Sequence, residues 1–137
     1  HKPVLALERV PEDQVSRYGI VAAKKIAPRT HRILGIVEKP SLEAAPSNIA
    51  TIGKYIYTPE LLALLPKMKP SHGGELFPTD IFDLYIRKGG IMYGYEYEGT
   101  RYDCGEKLGY LKAMVRMGLN HPEIGRPFKE FLKELKP

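Results

Sequence analysis

Tryptophan is missing from this 137-residue chain, and cysteine occurs once, at Cys104. A lone thiol has no partner within the chain, so a small fold stapled by disulfides is excluded. No apolar run approaches the ~20 residues that a membrane-spanning helix needs, and no secretory leader pattern precedes the first strand-like segment. A cytoplasmic, reducing compartment and no membrane partner are therefore expected. Gly-rich phosphate loops of the Walker or dinucleotide type are absent, and so is a Gly-x-Ser-x-Gly elbow. The four histidines, at positions 1, 31, 72 and 121, lack metal-ligand spacing. Catalysis by an activated side-chain nucleophile has no obvious support.

What is present is ordinary for a globular chain: 43% hydrophobic and 27% charged residues, with 12 Pro and 13 Gly spread along it. The length suits a single domain over residues 1–137. The formal charge of +5 is uneven, with eight basic against four acidic side chains in residues 1–40. A basic front suits an anionic small ligand or a nucleic acid, or serves solubility alone. Nucleic acid is disfavoured, because the tyrosine-rich stretch 93–97 is flanked by Glu96 and Glu98 rather than by cations.

Hydrophobic patterning predicts strands over Val4–Val10, Tyr18–Ala23, Ile33–Glu38, Ile49–Tyr57 and the alternating stretch 91–98, the second and third close enough to form a hairpin. Pro11-Glu12-Asp13 reads as a polar turn. Thr58-Pro59-Glu60 starts a short helix, with a capping hydroxyl, then proline, then an acid. Residues 66–78 read as a long loop containing His72-Gly73-Gly74-Glu75. Thr79 or Asp80 caps a helix running to Lys88 and closed by Gly89-Gly90. Leu108, Leu111, Val115 and Leu119 repeat at helical spacing over 106–120, and a last helix starts at Pro127. Strands first and helices later indicate an α/β or α+β layered architecture.

Three clusters could carry chemistry. Tyr18-Gly19-Ile20-Val21 places a glycine at a strand entrance, where a ligand can approach the backbone, although a simple bulge gives the same pattern. Val37-Glu38-Lys39-Pro40 puts an acid and a base at a strand's end, where open α/β sheets bind ligands. A glutamate there accepts hydrogen bonds from sugar hydroxyls, and a lysine pairs with phosphate; a surface charge pair at a turn is the alternative. Asp103, in Tyr102-Asp103-Cys104-Gly105-Glu106, can hold Mg²⁺, or it can cap the following helix in a capping box with Glu106. Cys104 itself reads as a small hydrophobe rather than a redox group.

These clusters, in this order, resemble the C-terminal part of bacterial-type UTP–glucose-1-phosphate uridylyltransferases (UDP-glucose pyrophosphorylases). The resemblance rests on RYGIV at 17–21, VEKP at 37–40, APSNIATIGKYIYTPELLALL at 45–65, GGE at 73–75 with Thr79-Asp80, YDCGEKLGYLKA at 102–113, and HPEIG with FKEFLKEL near the end. It implies the C-terminal part of a nucleotide-diphospho-sugar transferase fold, α/β, with a twisted mixed sheet flanked by helices. It also implies Mg²⁺-dependent transfer of a uridylyl group from UTP to glucose 1-phosphate, giving UDP-glucose and pyrophosphate, in a homo-oligomer, dimer or tetramer. Carried over by motif, Gly19 contacts the sugar through its backbone, Glu38 binds sugar hydroxyls and Thr51 lines the sugar pocket. Lys39 binds the phosphate as the catalytic cation, and Asp103 is one of two Mg²⁺ carboxylates.

Two departures from the family pattern stand out. Its Gly-rich nucleotide-binding motif and its first Mg²⁺ carboxylate are not in the chain, which therefore reads as a fragment, inactive alone. A segment usually reading GEIQLTD is here Gly74-Glu75-Leu76-Phe77-Pro78-Thr79-Asp80, and Pro78 is expected to reshape it. The rival readings are a non-catalytic sugar-phosphate or protein-binding module, and a pyrophosphorylase for another sugar or nucleotide.

Overall fold

The computed structural model describes residues 1–69 and 74–135; the expected loop positions His72 and Gly73 lie outside them. The chain divides into two compact units, His1–Tyr97 and Glu98–Pro137.

The first unit is built on five strands: β1 (Val4–Arg9), β2 (Gly19–Ala27), β3 (Thr30–Glu38), β4 (Ile49–Ile56) and β5 (Met92–Glu96). β2 and β3 form the expected antiparallel hairpin, with Gly19 opposite Glu38 and Ala27 opposite Thr30. The strands lie in the order β1-β4-β2-β3-β5. β5 then pairs with β1 in parallel, Val4 beside Tyr93, and with β3 antiparallel, Ile33 beside Met92. The mixed sheet thus closes on itself and is not the open sheet that the strand-end argument assumed. The physical reason is β5, whose two hydrogen-bonding edges are both taken.

Two short 3-10 helices accompany the strands, Glu12–Arg17 and Leu65–Lys67. The first replaces the polar turn read at Pro11-Glu12-Asp13, and it buries Val15. Helix α1 (Pro59–Leu62) begins as expected, with Thr58 Oγ1 accepting from Leu61 N at 3.4 Å. Helix α2 (Pro78–Arg87) starts at the proline expected to disturb this segment. At the first helical position proline loses nothing, because its missing N–H would have had no partner within the helix. Of the two capping candidates, Asp80 serves, reaching back to accept from Phe77 N at 2.8 Å; Thr79 points elsewhere.

The main core gathers Leu5, Leu7, Val21, Ile33, Ile36, Ile49 and Met92 from the sheet, with Leu61, Ile81, Phe82 and Tyr85 from the helices. Each such large side chain contributes roughly 1.5–3 kcal/mol by leaving water. On β5 the buried face is the one carrying Met92 and Gly94, while Tyr95 and Tyr97 are exposed. Leu7 and Ile33 come so close over Gly94 that a side chain there would have to push both aside.

The second unit holds α3 (Lys107–Asn120) and α4 (Gly125–Glu134), the latter starting two residues before the expected Pro127. On α3, Ala113 is buried, whereas Leu108, Leu111 and Val115 are exposed. No helix among the described residues is long and apolar enough to cross a membrane.

Candidate functional site

Strand register brings three of the sequence candidates level with one another. Gly19 on β2 lies opposite Glu38 on β3. On the other side, the pairing of Ile20 with Ala50 sets Gly19 against Thr51 of β4. Antiparallel neighbours at one register share a face, so the three meet on one side of the sheet.

Gly19 is buried, and the space a side chain would take there is bounded by polar atoms. A Cβ on Gly19 would sit 3.1 Å from Glu38 Oε2, 3.2 Å from Thr51 Oγ1 and 2.7 Å from Thr79 Cγ2. The carboxylate, the hydroxyl and the Thr79 methyl thus pack over the Gly19 backbone, in the place a side chain would take. No bulge occurs at Gly19, which keeps regular register with Glu38.

Lys39 follows directly and leaves the sheet. Its backbone takes φ of 43°, a left-handed conformation that costs a residue with a side chain about 1 kcal/mol or more. The backbone is anchored by Lys39 N donating to Tyr18 O at 3.0 Å. The ammonium lies 5.2 Å from the centre of the Phe77 ring, within cation–π range. Glu38 thus belongs to the cluster over Gly19, and Lys39 follows it on a left-handed backbone.

Two contributors were not identified from sequence as site residues, Phe77 and Thr79. Thr79 Oγ1 donates to Glu38 Oε2 at 2.9 Å across 41 positions of sequence. Thr79 is 5% exposed and Thr51 7%, so both hydroxyl-bearing side chains are held in place by packing. No local pattern signals the Thr79 contact, because it depends on how α2 lies against β3.

Asp103 belongs to the second unit and is described within it. The N-cap of α3 is Glu106, so Asp103 lies three residues ahead of the cap position rather than on it. Asp103 Oδ1 instead accepts from Gly105 N at 3.1 Å, a tight local turn before the helix. Among the described residues no three His, Cys, Asp or Glu side chains converge as a metal cluster. A single carboxylate still fits Mg²⁺, which takes one or two carboxylates and fills its other positions with phosphate oxygens and water. Cys104 is exposed and free, contrary to its reading as a small buried hydrophobe.

Residues 2–118 match the nucleotidyl transferase family, and the chain belongs to it. A UTP–glucose-1-phosphate uridylyltransferase of Streptococcus pyogenes serotype M3 is 36% identical over 136 residues, which are 98% of this chain and 45% of that protein. A Methanocaldococcus jannaschii relative is 39% identical over 133 residues, covering 96% of this chain and 47% of its own. The structure of a UTP-bound UGPase from Acinetobacter baumannii superposes with a TM-score of 0.82 at 35% identity, over 98% of this chain and 46% of the other. The chain spans about half the length of the curated relatives it matches.

Proposed function

We propose that these 137 residues form the sugar-phosphate side of an enzyme that transfers a uridylyl group from UTP to glucose 1-phosphate, releasing pyrophosphate. The observation that carries this reading is the cluster of Glu38, Thr51 and Thr79 packed over Gly19, with Lys39 next in the chain. The names of the relatives support the substrate pair.

The chemistry asks little of side chains as proton carriers. A phosphate oxygen of glucose 1-phosphate is already a nucleophile; it attacks the α-phosphorus of UTP as the bond to pyrophosphate breaks. The barrier comes from bringing two anions together in line. In this reading Glu38 and Thr51 hold sugar hydroxyls, the Gly19 backbone lets the ring approach, and Lys39 pairs with the phosphate it delivers. A bound Mg²⁺ would offset negative charge on the phosphates, with Asp103 as one of its carboxylates.

The test is Lys39→Ala in the complete protein. Loss of a charge-assisted phosphate contact is expected to lower kcat/KM for glucose 1-phosphate by at least ~10²-fold. Wild-type kinetics would overturn the reading and leave Lys39 a surface cation. A panel of sugar phosphates and nucleoside triphosphates in the same assay decides the substrate pair.

A further inference from the structure

Thr79 was given no site role from sequence, yet its side chain packs over Gly19 and bonds Glu38. Its hydroxyl donates to Glu38 Oε2 at 2.9 Å, and its methyl lies 2.7 Å from where a Gly19 Cβ would be. It occupies the first turn of α2, next to Asp80, which ties down that turn by accepting from Phe77 N. Phe77 in turn carries its ring under the Lys39 ammonium. One helical turn thus touches both members of the Glu38-Lys39 pair.

We infer that Thr79 is a positioning residue for Glu38, holding the carboxylate by one oxygen so that the other meets the sugar hydroxyls; this rests on the proposed sugar-phosphate reading. A carboxylate accepts through both oxygens, and a free glutamate rotates about three side-chain torsions. The Thr79 hydroxyl engages Oε2 and removes that freedom before the sugar arrives. Asp80, not Thr79, supplies the acceptor for the free N–H of Phe77 at this helix start. Burial of Thr79 keeps water from competing for the bond. The effect belongs to sugar binding and not to the phosphoryl step, because Thr79 acts through Glu38 alone.

The experiment is steady-state kinetics of the complete protein with Thr79→Val, Thr79→Ser, Glu38→Gln and the Glu38→Gln/Thr79→Val double variant. Valine keeps the methyl wall and removes the donor. Thr79→Val is expected to raise KM for glucose 1-phosphate about tenfold, with KM for UTP and kcat little changed. Thr79→Ser keeps the donor and is expected to restore KM to within about twofold of wild type. In the Glu38→Gln background the Thr79→Val effect is expected to shrink, because the two residues act through one bond. An equal effect in both backgrounds, or wild-type KM in Thr79→Val, overturns the inference. Should Glu38→Gln itself leave KM for glucose 1-phosphate unchanged, the sugar-phosphate reading fails first and the inference with it. If Thr79→Val does not fold, the serine variant decides: a serine KM as high as that of Glu38→Gln overturns the role of the hydroxyl.

Discussion

Asp103 sits three residues ahead of the α3 N-cap, Glu106, and that offset separates two roles a carboxylate can have near a helix start. A capping side chain needs only an acceptor oxygen, so asparagine replaces aspartate at a cost of a few tenths to ~1 kcal/mol. A metal ligand needs the negative charge as well. Asp103 Oδ1 accepts from the backbone N–H of Gly105, a task the asparagine oxygen performs equally. Asp103→Asn in the complete protein is therefore expected to melt within a few degrees of wild type. The same variant is expected to lose most activity and to need far more Mg²⁺ for the remainder, read by titrating initial rate against Mg²⁺. Normal Mg²⁺ dependence would remove Asp103 from the metal site. Asp103 and Lys39 were both legible as candidates because each closes a short, sharply punctuated motif. Thr79 was legible only as a possible cap, and that was the wrong role.

Between elements, a polar cluster joins three strands. Glu96 Oε1 on β5 is met by His31 Nε2 of β3 at 2.7 Å and by the Arg9 guanidinium of β1 at 2.9 Å. His31 is 2% exposed, so its ring depends on this partner for hydrogen bonding. Burial works to raise the Glu96 carboxyl, but the bonds from His31 and Arg9 outweigh it and hold the group below the usual carboxylate value. A lowered folded value means that the ionised form stabilises the fold. The contribution is full above the ordinary glutamate value of about 4.3 and is lost as pH falls through the lower folded value. Glu96→Gln is expected to cost about 1 kcal/mol at pH 7 in urea unfolding, a figure kept small because Arg9 is more than half exposed. The difference from wild type is expected to vanish in acid, below both values; a difference that persists there would show that packing, not charge, is lost. Elsewhere the Tyr85 phenol is pushed up, first by burial and then by the Glu60 charge and the bond it accepts at 3.3 Å.

At the scale of the molecule, the chain holds one candidate metal carboxylate, Asp103, and spans about half the length of its relatives. The 137 residues alone are expected to release no pyrophosphate from UTP, glucose 1-phosphate and Mg²⁺; release above background would mean that the chain carries a whole nucleotide site. Much of the fold was determined locally. Alternating β-branched residues, a Thr-Pro-Glu start and a Gly-Gly stop act through neighbours a few positions apart, so strands, the β2–β3 hairpin and helices follow from sequence. The 3-10 helix at Glu12–Arg17 escaped, because six residues are too few for a periodicity to be read. Which face of β5 is buried escaped too: Ile91, Tyr93, Tyr95 and Tyr97 alternate with Met92, Gly94, Glu96 and Glu98, yet the buried positions are Met92 and Gly94, where Leu7 and Ile33 pack. The motif residues Gly19, Glu38, Lys39, Thr51 and Asp103 stand out by type and punctuation in the chain itself. Only tertiary structure set Gly19, Glu38 and Thr51 at one level and brought Thr79 to Glu38. Strand register and helix docking are long-range choices, made by which apolar surfaces are buried together, and no window of sequence contains both partners.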